Sequence, residues 1–284
     1  MSYPTGLVFS GYAWSIFLHF YHHNNKKKNG TFIKYKRTGM DFKLEICADS
    51  VESAVNAQAG GADRVELCNS LSEGGTTPSS GTISSARDNL TIDLHVIIRP
   101  RSGDFLYTDP EYDIMRRDIE ICGEYGVNGI VIGILRQDGE IDVEHTAKLI
   151  DLASPMTTTF HRAFDMCSDP FRGLQDVISA GASRLLTSGQ RNRAAEGTEL
   201  ISKLVRKAGS KIIIMPGSGL NGSNIADIAR STGAVEFHLS GRKIMESGMI
   251  FRREGISMGE ITELSKKVAD PQKIKNIIDI LKMI

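Results

Sequence analysis

The sequence predicts a (β/α)8 TIM-type barrel with a C-terminal helical segment, an α/β fold. Three observations predict it. From residue 41 onward, eight short β-rich runs alternate with helix-length stretches. The runs are almost continuously apolar, as in parallel strands buried on both faces. A glycine-plus-hydrophobic handle also recurs before strands: GADRVELC at Gly61, GVNGIVIG at Gly126, GASRLLTSG at Gly181 and GAVEFHLSG at Gly233. Glycine at such a point suits the left-handed turn that ends a helix. A doubly wound open sheet is the alternative architecture. No GxGxxG follows the first strand, so a dinucleotide fold has little support.

The elements follow in order. LEIC (44–47) and VELC (65–68) are the first two strands. Between them DSVESAVNAQAGGAD reads as a crossover helix begun by an Asp/Ser cap. Strand, crossover helix and strand imply parallel neighbours. LSEGGTTPSSG (71–81) carries Gly74, Gly75 and Pro78 and reads as a structured loop rather than a helix. LHVIIRP (94–100) is the third strand. DPEYDIMRRDIEICGEYG opens on Asp109-Pro110 and carries Ile114, Ile121 and Tyr125 at helical spacing. GIVIG is the fourth strand, TTTFHRAF (157–164) the fifth, RLLTSG the sixth, KIIIMPG (211–217) the seventh and VEFHLSG the eighth. DVEHTAKLIDLA, DPFRGLQDVISAG, GTELISKLVRKAG and NGSNIADIARSTG fill the gaps as helices. From Glu260 two helix-like segments are expected. The second puts Ile274, Ile277, Ile278 and Leu281 on one face, which suits docking on the barrel and offers a homo-oligomer contact.

The first 39 residues differ from the rest. LVFSGYAWSIFLHFY (7–21) is followed by Lys26, Lys27 and Lys28. The run is shorter than the ~20 residues of a membrane span. Its charge lies on the wrong side for a secretory signal, and no A-x-A-like site appears. Residues 1–39 are expected to be a poorly ordered extension, or sequence upstream of Met40 as an alternative initiator, ahead of a barrel over 40–284.

The chain has 284 residues, 40% hydrophobic and 24% charged, with zero net formal charge. That is the balance of a soluble globular protein and gives no broad footprint for nucleic acid or a membrane surface. Four cysteines in this length make no disulfide framework and read as reduced thiols in a cytoplasmic setting.

The chemistry gathers at strand ends. Side chains alternate along a strand, so Glu45 and Cys47 share a face, as do Glu66 and Cys68. The carboxyl ends of barrel strands converge on one mouth. Arg99 and His161 join them there, with His95, Glu236 and His238. Charged groups inside a barrel need partners, so Glu45 and Glu66 are expected to meet Arg99 or a histidine. One reading is a buried ion-pair network that fixes the core; the other is a pocket of tuned acid/base groups. Cys47 and Cys68 fit Cu(I), which accepts two thiolates. On the residues alone, two small buried hydrophobes are the plainer reading. No spacing supplies a zinc set. Cys122 and Cys167 read as packing or surface thiols. The loops after strands seven and eight, PGSGL and HLSGRK, offer an anion site at Gly217, Ser218, Gly219, Ser240 and Gly241.

LEICADSVESAVNAQAGGADRVELC, LSEGGTTPS, VIIRPRSGDFLY, TFHRAFDM, LTSGQ, IIIMPGSGL and the EFH…SGM…FR region run collinearly over residues 43–252. Through them the chain resembles the CutC copper homeostasis family. The resemblance implies a TIM-type barrel, a cytoplasmic protein linked to copper, and Cu(I) held by Cys47 and Cys68. The mouth is more elaborate than two thiols require. An uncharacterised enzyme acting on a small anionic or phosphorylated metabolite is therefore the second expectation. In it Arg99 orients the anion, and Glu45, Glu66 or His161 is the acid or base.

Overall fold

The structure, a computed structural model, describes residues 41–251, 253, 255, 256 and 264–284. The expectation for residues 1–39 lies outside the described residues. The eight apolar runs are strands β1 (Lys43–Ala48), β2 (Arg64–Leu67), β3 (Asp93–Ile97), β4 (Gly129–Ile132), β5 (Thr157–Phe160), β6 (Arg184–Thr187), β7 (Ile213–Pro216) and β8 (Glu236–Leu239). They pair in parallel in the order β7-β6-β5-β4-β3-β2-β1-β8. β7 and β8 lie side by side across the remaining seam, so the sheet is a nearly closed barrel.

Each crossover is a helix: α1 (Val51–Ala59), α2 (Ser80–Asn89), α3 (Asp109–Glu124), α4 (Val143–Ala153), α5 (Pro170–Ala180), α6 (Thr198–Ala208) and α7 (Ile225–Thr232). Their starts are fixed by local chemistry. The Ser50 hydroxyl accepts from the Ser53 N–H, and the Asp169 carboxylate accepts from Phe171 and Arg172 N–H. Glu111 accepts from the Thr108 N–H at 2.8 Å, closing half of a capping box on α3.

The main core lies between strands and helices. Leu44, Ile46, Val65, Leu94, Ile130, Phe160 and Phe237 fill it, all buried. Their strand neighbours at odd spacing point into the barrel, which explains why the strands carry both apolar runs and charged residues. Where large side chains cross the interior, glycine makes room. A Cβ on Gly133 would stand 2.4 Å from the His161 ring.

Two expectations change, and the docking of the C-terminal helix holds. The segment after β2 is not loop throughout: Leu71–Glu73 forms a short 3-10 turn, and α2 begins at Ser80, capped by the Ser79 hydroxyl. The first helix-like segment after Glu260 is instead strand β10 (Ser265–Ala269), antiparallel to β9 (Arg242–Glu246). Its first half, Lys266-Lys267, is exposed and its second half, Val268-Ala269, is buried, and pairing with β9 decides over helix propensity. The C-terminal helix α8 (Pro271–Lys282) is the eighth barrel helix, seated between α7 and α1. Its apolar face, Ile274, Ile277 and Leu281, is buried in the barrel. Among the described residues, no helix is long and apolar enough to cross a membrane.

Candidate functional site at the barrel mouth

Register places the polar side chains. β1 pairs with β8 so that Glu45 opposes His238, and with β2 so that Cys47 opposes Glu66. All four are buried. Below them lies a charged floor. Arg64 pairs with Glu45 through Nε and donates from Nη2 to Glu236 at 2.7 Å. Arg184 Nε reaches the same Glu236 oxygen at 2.7 Å. Glu45 holds the other end of the network: its second oxygen lies 2.7 Å from His238 Nδ1. Two carboxylates and two guanidinium groups thus compensate each other away from water.

This network sets the protonation states. Burial alone would keep Glu45 neutral, but Arg64 and His238 outweigh it and hold the carboxyl far below its usual range. Glu66 lies farther from these cations, with His238 Nε2 at 3.6 Å, and they do not outweigh its burial. Burial first, then the neighbouring Glu45 charge, push it up to about 7. Burial opposes a charge on His238, yet Cys47 and Glu66 raise it well above its ordinary value. His95, buried and beside the arginines, falls to about 4 and stays neutral.

One set of metal-capable groups among the described residues lies within mutual reach: Cys47, Glu66 and His238, whose ligand atoms are all within 4.8 Å of one another. His238 Nε2 is 3.6 Å from the Glu66 carboxylate. Cys68 stands outside this set. Its thiol donates to the Ala48 carbonyl at 3.5 Å and packs with Ile97 and Val131. Burial pushes that thiol far up, and the nearby Glu66 and Cys47 add to it. A thiol and an imidazole are soft and borderline donors, so the donor set fits Cu(I) better than a hard cation. Cys122 and Cys167 are buried away from the cluster, and all four cysteines are free.

The cluster forms one wall of a cavity of about 460 Å³ at the carboxyl ends of the strands. Arg99 and His161, after β3 and β5, line the same cavity. Arg99 does not meet Glu45 or Glu66. Its Nη1 donates to the Glu73 and Gly75 carbonyls, and its Nη2 to Gly103. His161 Nδ1 accepts from the Ala163 N–H. Burial and the Arg99 charge push His161 down to about 3, so it is neutral. Ser218, Gly219 and Ser240 also line the cavity; Gly217 and Gly241 lie behind it. A Cβ on Gly217 would stand 2.4 Å from Leu186, which explains that glycine by packing.

Sequence reading missed Arg64, Arg184 and Asp165. The first two carried a signal: each sits two residues before an inward-facing position in a GA-x-R handle, on the interior face by alternation. Asp165 carried none. Its carboxylate accepts from Ser188 N–H, Thr187 Oγ1, Gln190 N–H and Arg162, and so ties the turn after β5 to the loop after β6.

Fold and site together define a (β/α)8-barrel protein with a thiol, an imidazole and two carboxylates gathered over a charged floor at its mouth. The particular lineage follows from comparison. The CutC family model matches residues 42–243, and the chain belongs to the CutC family. A CutC family protein of Chromobacterium violaceum is 52% identical over 220 residues, covering 78% of this chain and 89% of the relative. The human copper homeostasis protein cutC homolog is 46% identical over 246 residues, 86% of this chain and 90% of the relative. A crystal structure described as a CutC copper homeostasis protein from Streptococcus agalactiae has a TM-score of 0.67 and 34% identity. It covers 70% of this chain and 98% of that one.

Proposed function

We propose that this chain is a copper homeostasis protein that takes Cu(I) as cargo at the barrel mouth, with Cys47 as the first ligand and Cys68 as the second thiolate. The observation that carries the proposal is the position of Cys47, packed with His238 and Glu66 at the wall of an open cavity. Thiolate softness selects Cu(I). Burial first, and the nearby Glu66 and Cys47 second, make a Cys68 thiolate costly; a cation arriving at Cys47 compensates that buried charge, and the weak contact of Cys68 with the Ala48 carbonyl is easily given up. His238 is the competing second donor. Free thiols suit a reducing, cytoplasmic setting. The names of the human relative and of the Streptococcus agalactiae structure support the copper role.

The test is an anaerobic Cu(I) competition titration on wild type, Cys47→Ser, Cys68→Ser and His238→Gln. The expected result is tight binding in wild type, lost in Cys47→Ser and weakened in Cys68→Ser. If Cys68→Ser binds as wild type and His238→Gln does not, the paired-thiol form is wrong. Unchanged binding in Cys47→Ser sinks the reading altogether.

A further inference from the structure

Arg99 lines the cavity, is only 5% exposed, and carries a charge with no acidic partner among the described residues. Its guanidinium donates to the neutral backbone carbonyls of Glu73, Gly75 and Gly103, and the hydroxyl of Tyr107 is a further side-chain neighbour. Among the described residues no carboxylate lies within ion-pair distance of it. This is unlike every other buried guanidinium nearby: Arg64 and Arg184 are both matched to carboxylates. A buried charge is stable only when paired, so an unmatched one beside an open cavity marks a place for an anion.

A second observation points the same way. Because His161 Nδ1 accepts from Ala163, the neutral ring carries its proton on Nε2, and that N–H has no partner. Arg99 Nε–H is likewise buried without a partner. His161 is 4% exposed and lines the same wall. The Phe105 ring packs against both groups, 5.0 Å from the His161 ring and 5.2 Å from the Arg99 guanidinium carbon. Buried donors without acceptors cost free energy that an incoming oxyanion recovers. At the rim Arg162, 41% exposed, is held by Asp165 and Ser188 with its Nη1 turned to none of the described acceptors. Leu71, Ile97, Leu186 and Leu220 give the wall its apolar part; of the carboxylates that also line the cavity, Asp165 is paired with Arg162, and Glu66 and Glu73 are the other two.

We infer that the cavity binds a small organic anion, a carboxylate or phosphate on a compact apolar body, with its charged end on the Arg99, His161 and Arg162 side and Phe105 shifting to admit it. The cavity volume suits a molecule of that size. This subsite is separate in its residues from Cys47 and Cys68 and does not depend on copper.

The experiment is calorimetric titration of the full-length, metal-free protein with benzoate and, in parallel, phenyl phosphate. Variants are Arg99→Gln, Arg162→Ala and Cys47→Ser/Cys68→Ser, each checked for folding by circular dichroism. Wild type is expected to bind at least one probe saturably with a single site, and the preferred probe identifies carboxylate or phosphate. Arg162→Ala, which removes a rim residue and leaves the floor intact, is expected to weaken it about ten-fold or more. Arg99→Gln is expected to abolish it, and the double cysteine variant to keep it. The inference is overturned if neither probe saturates wild type. It is equally overturned if Arg162→Ala binds as tightly as wild type. Because copper is absent throughout, its failure leaves the copper reading standing, and the converse holds.

Discussion

Cys47 of β1 and Glu66 of β2 are direct cross-strand partners, and His238 on the other side of β1 reaches both. The thiol therefore shares its surroundings with a carboxyl whose pKa is pushed up to about 7 and with an imidazole that favours its proton. Glu45, fixed from below by Arg64, locks the imidazole orientation through Nδ1. The parallel register of three neighbouring strands is what assembles the cluster.

His238 is predicted to remain protonated at neutral pH in the metal-free protein, because Cys47 and Glu66 outweigh its burial. Glu66→Gln removes the Glu66 contribution. Its expected effect is a lower titration midpoint for His238, read from side-chain nitrogen shifts by NMR. A midpoint that does not move would show that Glu66 exerts no field there.

Arg64 is predicted to be the costliest single charge in the fold. It spans Glu45 and Glu236, and both would be left buried with less compensation. Arg64→Leu should lose about 3–5 kcal/mol by urea unfolding. A loss below about 1 kcal/mol would mean that the floor tolerates unpaired carboxylates, contrary to the charge balance described.

Acid sensitivity should trace in part to His95. An unperturbed histidine takes up its proton near 6.5, whereas His95 does so only near 4. Between those values the unfolded chain binds a proton that the folded chain refuses. Stability should therefore rise with pH across this window and be lost as pH falls from about 6.5 towards 4, by roughly 3 kcal/mol in total. His95→Gln should flatten that part of the profile. Parallel unfolding curves at pH 7 and pH 5 in both proteins decide the point, and equal pH slopes would contradict it.

Gly133 is predicted to tolerate no side chain. A Cβ would fall 2.4 Å from the His161 ring and 2.9 Å from Ala163 Cβ. Gly133→Ala should cost about 1–3 kcal/mol through overpacking. It should also displace His161, visible as a shift of its ring resonances. Wild-type stability in that variant would mean that the His161 wall is loosely held.

All eight strands were legible because a parallel barrel writes itself as apolar runs between capped helices. What the pattern could not show was pairing at a distance. Glu45 and Glu66 were readable as inward-facing, and both meet a histidine, His238, as expected; which arginine joins them depends on which side chains meet across the barrel, and Arg64 rather than Arg99 pairs with Glu45. The excursion between β8 and α8 was misread for a related reason. Ser265–Ala269 becomes a strand only because β9 offers it an edge, and local propensity does not carry that information. The pairing of Cys47 with Glu66 and His238 followed from register and could have been read from alternation once β1, β2 and β8 were known to be neighbours.

The most direct test of copper at this cluster is copper K-edge X-ray absorption on protein loaded anaerobically with Cu(I), in wild type and Cys47→Ser. Sulfur scattering in the wild-type ligand shell that is lost or halved in the variant is the predicted result. A shell of nitrogen and oxygen alone, or sulfur scattering indifferent to Cys47, would contradict the claim that the barrel mouth holds copper through this thiol.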